Sequence, residues 1–588
     1  MNSNGIGNVR LSTPVRSHLE AIYNENIADS LTPRVLAAMG VSGDTPAPAH
    51  FRNNWNESDT ILITYGNTVQ QDGELPLHTL DKFLQTWIRD NFSIVHILPF
   101  FPFSSDDGFS VMDFVSVNPS LGDWPEIQEI GKHYQLMADL VINHVSSRSK
   151  WFDDYQKQQA PGKDYFIEAS PEDDHSTVVR PRNTPLLNPV KTKNGERHVW
   201  CTFSADQVDL NFRNPEVLLE MVKIIRFYLD KGVRVFRLDA VAFLWKEPGT
   251  SCIHLPQTHE IIRLLRLLIE SHCPDAIVIC ECNVPNRENL TYFGNANEAH
   301  VIYNFSLPPL LLYTLLSGDC RHLKTWMMSM PPAQAGTTYL NFIASHDGIG
   351  LRPLDGLLED NERTRLVAAV EKFGGKVTLR RAREGHDKPY ELNVALLDAL
   401  SGTIDGVKDE FNLARFYCAH TIMLALEGIP AFYIQSMLGS RNDHRRMEHT
   451  GRFRSINRHI WQYPELEKRL KDQDEETSQV FNRLTHLIAI RRQQPAFHPN
   501  ATQFTLHLGT SIFAFWRQST DRRQSIFCIN NVSNTQQAVS LGDINLIGTD
   551  DWHDLISGKQ IDNQYGELLL APYESAWISN LGMPQTHN

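Results

Sequence analysis

Acids and histidines in this chain fall at the ends of short apolar runs, where a buried strand would deliver them to a common rim. ADLVINH ends in Asn143 and His144, VFRLDA carries Arg237 and Asp239, IVICEC presents Glu281, and FIASHDG ends in His346 and Asp347. A further run, HILPFFPFSSDDGF, leads to Asp106 and Phe109. One Asp in such a place is most often a helix cap. Three carboxylates, two histidines and an arginine converging from several strand ends instead suit the cleavage of a glycosidic bond. That reaction needs one carboxylate at the anomeric carbon and a second, protonated, to donate to the leaving oxygen. A third anionic group can hold the sugar as positive charge develops. Arg237 and Asp239 are two residues apart on a strand and point to the same side. The guanidinium is therefore expected to keep Asp239 ionised, as a nucleophile requires. Glu281, one strand over, needs a less polar, like-charged surrounding to hold its proton.

The runs that position these residues are TILITYG, SIVHILPFF, LMADLVINH, VRVFRLDAVAF, AIVICEC, HVIYNFSLPP, TTYLNFIASHD and IPAFYIQS. Amphipathic stretches such as PEVLLEMVKIIRFYLDKG and HEIIRLLRLLIESH separate them. Continuously apolar runs are the mark of parallel strands covered on both faces. Eight of them alternating with helices predict an α/β chain built on a closed (β/α)8 TIM barrel, over residues 56–504, with its reactive groups on the C-terminal rim. No Gly-rich phosphate loop follows the first strand, which argues against a doubly wound nucleotide-binding sheet. Two polar insertions, residues 147–207 (an inserted subdomain B) and 352–408, follow the third and seventh strands and are expected to wall the mouth. Within the second, KVTLRRAREGHDK reads as a solvated or pocket-lining loop. Residues 1–55 read as a helical extension, and residues 505–588, with short strands and no helix, as an antiparallel β-sandwich.

Charge and composition narrow the classes. With 55 Lys and Arg against 69 Asp and Glu over 588 residues, the net charge of −14 argues against nucleic acid as a partner. The eight cysteines include no C-x-x-C pair, so zinc ribbons and thioredoxin motifs are not expected, and scattered thiols suit a reducing cytoplasm. The N-terminus lacks an apolar leader and no run of 18 apolar residues occurs, so a soluble, cytoplasmic protein without membrane association is expected, as monomer or homodimer. The acidic stretches DDYQKQQ and PEDDH read as solvated loops rather than a calcium site.

ADLVINH, FRLDAV, the strand-end Glu281 and ASHD resemble the signature regions of the α-amylase superfamily, glycoside hydrolase family 13. HILPFFPFSSDDGF, RLDAVAFLWKEPGTSC, FSLPPLLL and SHDGIG resemble its sucrose phosphorylase subfamily. FRNNWNESDT, VPNRENLTYFG and KPYELNVALLDAL look closer still to the glucosylglycerate phosphorylases. The resemblance implies a retaining phosphorolysis with Asp239 as nucleophile, Glu281 as general acid/base and Asp347 as transition-state stabiliser. It also implies glucosyl contacts from Asp106, Phe109, His144, His346 and Arg454, and phosphate as co-substrate with no cofactor and no metal. Arg182 and Tyr390 match two loops that handle the leaving group and phosphate. Phe243, Asn283 and Glu391 depart from the sucrose phosphorylase pattern, which argues against sucrose and fits an α-glucoside of glycerate. Sucrose, sucrose 6-phosphate and glucosylglycerol remain alternatives in the same subfamily, and a hydrolase differs only in admitting water. A glycerate carboxylate needs a cation, for which Arg182 is the first candidate; a loop-stabilising salt bridge is the other reading of that residue.

Overall fold

The computed structural model describes residues 9–49, 51–381, 387–544, 546 and 551–581. Eight short strands close a parallel barrel: β1 (Ile61–Thr64), β2 (Ile94–Ile97), β3 (Gln135–Val141), β4 (Val233–Asp239), β5 (Ile277–Cys280), β6 (Val301–Tyr303), β7 (Thr338–Asn341) and β8 (Ile429–Tyr433). Each pairs with its neighbours in sequence, and β8 closes onto β1 through Ile61 opposite Ala431. All eight expected runs are present as strands. Nearly every strand residue is buried, because one face fills the barrel interior and the other meets helices. Consecutive strands place their C-terminal ends on one rim, which brings residues distant in sequence into one mouth.

Helices α1 (Ser12–Ile22) and α2 (Glu25–Met39) form an antiparallel pair at the N-terminus. Asn24 caps α2 by accepting from the Ile27 N–H at 3.0 Å. The pair buries Val15, Leu19, Leu31 and Val35 against α3 (Pro215–Asp230) and α4 (Pro256–His272), two helices of the barrel wall. Arg34 clamps Glu216 of α3 through two contacts of 2.7 Å. At the other end of the chain, five antiparallel strands between Thr502 and Ser579 form a sheet, accompanied by a two-stranded ribbon of Gln537–Ser540 with Glu567–Leu570. Trp577 lies wholly buried in that sheet.

The stretch after β7 is more regular than its sequence implies. Lys376–Arg381 and Asp387–Asn393 are antiparallel strands, and the second also pairs with Ile349–Gly350 just beyond β7. The reading of KVTLRRAREGHDK as a loop is therefore corrected to a β-ribbon, with residues 382–386 outside those described. Its basic residues hid the alternation, while Tyr390 to Asn393 turn inward and are buried. Among the described residues no helix is long and apolar enough to cross a membrane.

Candidate active site

β4 delivers the central ion pair. Arg237 is nearly inaccessible, and its Nη1 donates to Asp239 Oδ1 at 2.8 Å. The same nitrogen donates to Asp139, which lies opposite Arg237 in the β3–β4 register. His96 on β2 contacts the other oxygen of Asp139 through Nε2 at 2.7 Å. Burial would raise Asp139, but His96 and Arg237 outweigh it and hold this carboxyl at about 2. Glu281, just past β5, stands 3.9 Å from Arg237 Nη2 and accepts the Ala240 N–H at 3.1 Å. Ala240 is held in the left-handed region (φ 51°), where the chain turns out of the strand.

Burial lifts Asp239 well above the ordinary carboxylate range; Arg237 pulls against it, and the charges of Glu281 and Asp139 reinforce it. Glu281 is raised too, by burial first, with Arg237 opposing and Asp347 reinforcing. The guanidinium divides its charge between Asp139 and Asp239, so its pull on Asp239 works against burial and the neighbouring carboxylates. The two carboxyls feel each other's charge, so ionising one disfavours ionising the other. Of the two, Asp239 has the closer guanidinium contact.

Asp347, after β7, has the opposite surroundings. Burial would raise it, yet Arg454 at 2.5 Å, His346 and Arg458 hold it well below the ordinary range. His346 is stacked on Phe109, with centroids 5.1 Å apart and planes within 5°. Its imidazole sits 3.6 Å from Asp347, and burial lowers it to about 3 despite that carboxylate. His144 is also lowered by burial, and contacts the Phe109 carbonyl at 3.0 Å. Both rings are therefore neutral at pH 7 and can donate or accept toward hydroxyl groups.

Arg454 closes one end of the mouth. It pairs with Asp347 and grips Glu391 through two hydrogen bonds of 2.9 Å. Burial would raise Asp106 as well, but Arg454, Arg182 and Arg458 bring it down. Glu391 lines the cleft and is braced there: Arg454 and the Gly348 N–H meet its oxygens, and the residue is 2% exposed. Arg182 lies 3.8 Å from Glu391 and 5.7 Å over the Tyr390 ring. That ion pair is long, and Glu391 already has Arg454, so Arg182 is not neutralised by it.

The three candidate catalytic carboxylates and the nine candidate substrate contacts Asp106, Phe109, His144, Arg182, Arg237, His346, Tyr390, Glu391 and Arg454 line a single cleft of about 1170 Å³, open to solvent. Several partners escaped the sequence reading. Asp139 carried a signal, since its strand lies next to that of Arg237 and it sits inside ADLVINH. Gln207, whose side chain donates to Asp106 at 3.2 Å, carried none. Arg458, four residues after Arg454, binds Asp107 and donates to the His346 carbonyl at 2.8 Å. Among the described residues no group of three or more His, Cys, Asp or Glu side chains is arranged to hold a metal ion.

The model of the α-amylase catalytic domain family matches residues 91–351. The glucosylglycerate phosphorylase of Allomeiothermus silvanus is 41% identical over 97% of this chain and 98% of its own length. That of Escherichia coli is 43% identical over 90% of this chain and 93% of its own. The crystal structure of sucrose 6F-phosphate phosphorylase from Thermoanaerobacter thermosaccharolyticum matches the fold with a TM-score of 0.71 at 24% identity, covering 87% of this chain and 98% of that one.

Proposed function

Since the chain belongs to the α-amylase family, glycoside hydrolase family 13, alongside the glucosylglycerate phosphorylases, we propose that it cleaves the α-glucosidic bond of glucosylglycerate with phosphate, giving α-glucose 1-phosphate and glycerate. The observation that carries this reading is the Asp239–Arg237–Glu281 cluster, two carboxyls beside one buried guanidinium, in a chain aligned with such enzymes along almost its whole length.

In this mechanism Asp239 Oδ attacks the anomeric carbon as the glycosidic C–O bond breaks, and Glu281 passes its proton to the departing glycerate oxygen. With substrate bound the charge rests on Asp239, the carboxylate with the closer arginine, and Glu281 carries the proton. Phosphate then attacks the β-glucosyl-enzyme from the vacated side, Glu281 takes up the phosphate proton, and Asp239 is released. Asp347, held ionised by Arg454, stabilises the positive sugar in both transition states. Neutral His144 and His346 hydrogen-bond the glucosyl hydroxyls, Asp106 and Arg454 enclose the distal ones, and Phe109 offers the ring an apolar face. Arg182 and Tyr390 serve the phosphate and leaving-group side. Phosphate is the co-substrate, and no cofactor or metal takes part. The reducing cytoplasm that scattered thiols suit is the place of action.

The test is run in the synthetic direction. The protein is mixed with α-glucose 1-phosphate and D-glycerate, glycerol, fructose or fructose 6-phosphate, and phosphate release is followed with product analysis. Glycerate is expected to be preferred by at least tenfold in kcat/KM. Preference for fructose or its phosphate sinks the glycerate assignment, and equal release without any acceptor replaces phosphorolysis by hydrolysis.

A further inference from the structure

The acceptor must dock where Glu281 delivers its proton, so the side chains just beyond Glu281 on the open side of the cleft decide what leaves. Two of them have no role in the glucosyl site. Asn283, two residues after Glu281, lines the cleft, and its amide oxygen is buried without a hydrogen-bond partner. A buried acceptor left unpaired is costly unless a ligand donor meets it. Gly350 lies against this amide so tightly that a Cβ there would stand 2.8 Å from Asn283 Nδ2. Two residues further on, Arg352 lines the same cleft. Its side chain is 15% exposed, and its one side-chain hydrogen bond or ion pair among the described residues is Nη2 to Glu288 Oε2 at 3.4 Å.

Glu288 is anchored in turn. His254 Nε2 reaches the same oxygen at 3.0 Å, while His254 Nδ1 meets the Tyr292 hydroxyl at 2.6 Å. The carboxylate therefore steadies one edge of the guanidinium and leaves its other N–H groups unpaired at the cleft. An arginine held in this way suits a planar carboxylate, which it can receive with two parallel hydrogen bonds.

We propose that Arg352 and Asn283 form the acceptor subsite, Arg352 binding the carboxylate of a small hydroxy acid and Asn283 accepting from its hydroxyl. This rests on the glycerate reading above and transfers the carboxylate contact from Arg182 to Arg352. Arg182, beside Tyr390 and Glu391, is left to phosphate.

The test compares D-glycerate with glycerol, which lacks the carboxylate, as acceptors with α-glucose 1-phosphate in wild type, Arg352→Gln, Arg352→Lys and Arg182→Gln. Arg352→Gln is expected to raise the KM for glycerate on the order of 10- to 100-fold, as loss of a charged hydrogen bond does, and to lower the glycerate-to-glycerol ratio of kcat/KM by the same factor. Arg352→Lys, which keeps the charge but not the fork, should fall between. An unchanged glycerate KM in Arg352→Gln overturns the proposal, as does the same KM rise confined to Arg182→Gln. Equal losses toward both acceptors also overturn it and assign Arg352 a structural role, with thermal melting to show any loss of fold; Arg352→Lys then gives the same comparison in a folded protein. A wild type that does not prefer glycerate defeats the functional reading itself and with it this subsite, a result separable from any variant's.

Discussion

Asp239 and Glu281 share one guanidinium, and the consequences are measurable at each. Asp239→Asn removes the attacking oxygen while keeping a similar shape, and transfer should fall on the order of a thousandfold or more. Near-normal phosphate release from that variant would place the nucleophile elsewhere. The pH dependence follows from the directions of the two shifts. Transfer needs Asp239 ionised and Glu281 protonated, so it falls as pH drops through the value for forming the former and as pH rises through the value for losing the latter. Burial raises both carboxyls. The bell of kcat/KM against pH is therefore expected to sit above the range of ordinary carboxylates. Glu281→Gln should lose orders of magnitude with poor leaving groups, and its residual activity should lack the alkaline limb. Retention of that limb assigns it to another group. Asp347, pulled down by Arg454, contributes no limb near neutrality.

At the scale of elements, the loop after β2 shows what positions the glucosyl site. Asp106, Asp107 and Gly108 take φ values of 55°, 48° and 114°, three positive angles in succession. Ion pairing of Asp107 with Arg458 and hydrogen bonding of Asp106 with Gln207 hold this conformation. A Cβ on Gly108 would stand 2.7 Å from the Pro99 carbonyl oxygen, so Gly108→Ala must displace the turn. The variant is expected to lose about 1–3 kcal/mol of stability and to raise KM for glucose 1-phosphate at least tenfold, as calorimetry and initial rates would reveal. An unchanged KM would mean that the turn does not set the position of Asp106 and Phe109. The DDGF stretch was legible as chemistry, because its acids follow an apolar run, but its backbone was not, since it depends on Arg458 some 350 positions away. The ribbon of Lys376–Arg381 with Asp387–Asn393 was missed for a related reason. Its inward residues are ordered by the glutamate–arginine clamp at Glu391, a contact between loops that no local pattern announces.

For the whole molecule the barrel was readable strand by strand, because a parallel strand buried on both faces leaves an apolar run that few other elements produce. The interior histidines were less legible, since burial, not sequence, decides their charge. His420, on the helix Asn412–Ala425, stacks on Phe432 of β8 and contacts the Phe416 carbonyl at 2.8 Å. Burial lowers it from 6.5 to about 4, and His346 from 6.5 to about 3. In an unfolded chain both would protonate near their ordinary value, so between that value and their folded ones the unfolded state binds more protons. Stability then rises with pH across this window and falls as pH drops through it. Acid destabilisation of the whole protein should accordingly begin near pH 6.5, above the range where carboxylates such as Asp139, held at about 2, lose their pairing. His420→Leu removes one of the two groups while filling similar space. It is expected to reduce proton uptake on unfolding by about one near pH 5 and to flatten the melting temperature between pH 6.5 and 4. Calorimetric melting from pH 7 to pH 3 measures this slope, and a slope identical to wild type would show that His420 takes up its proton in the folded barrel as readily as in the open chain.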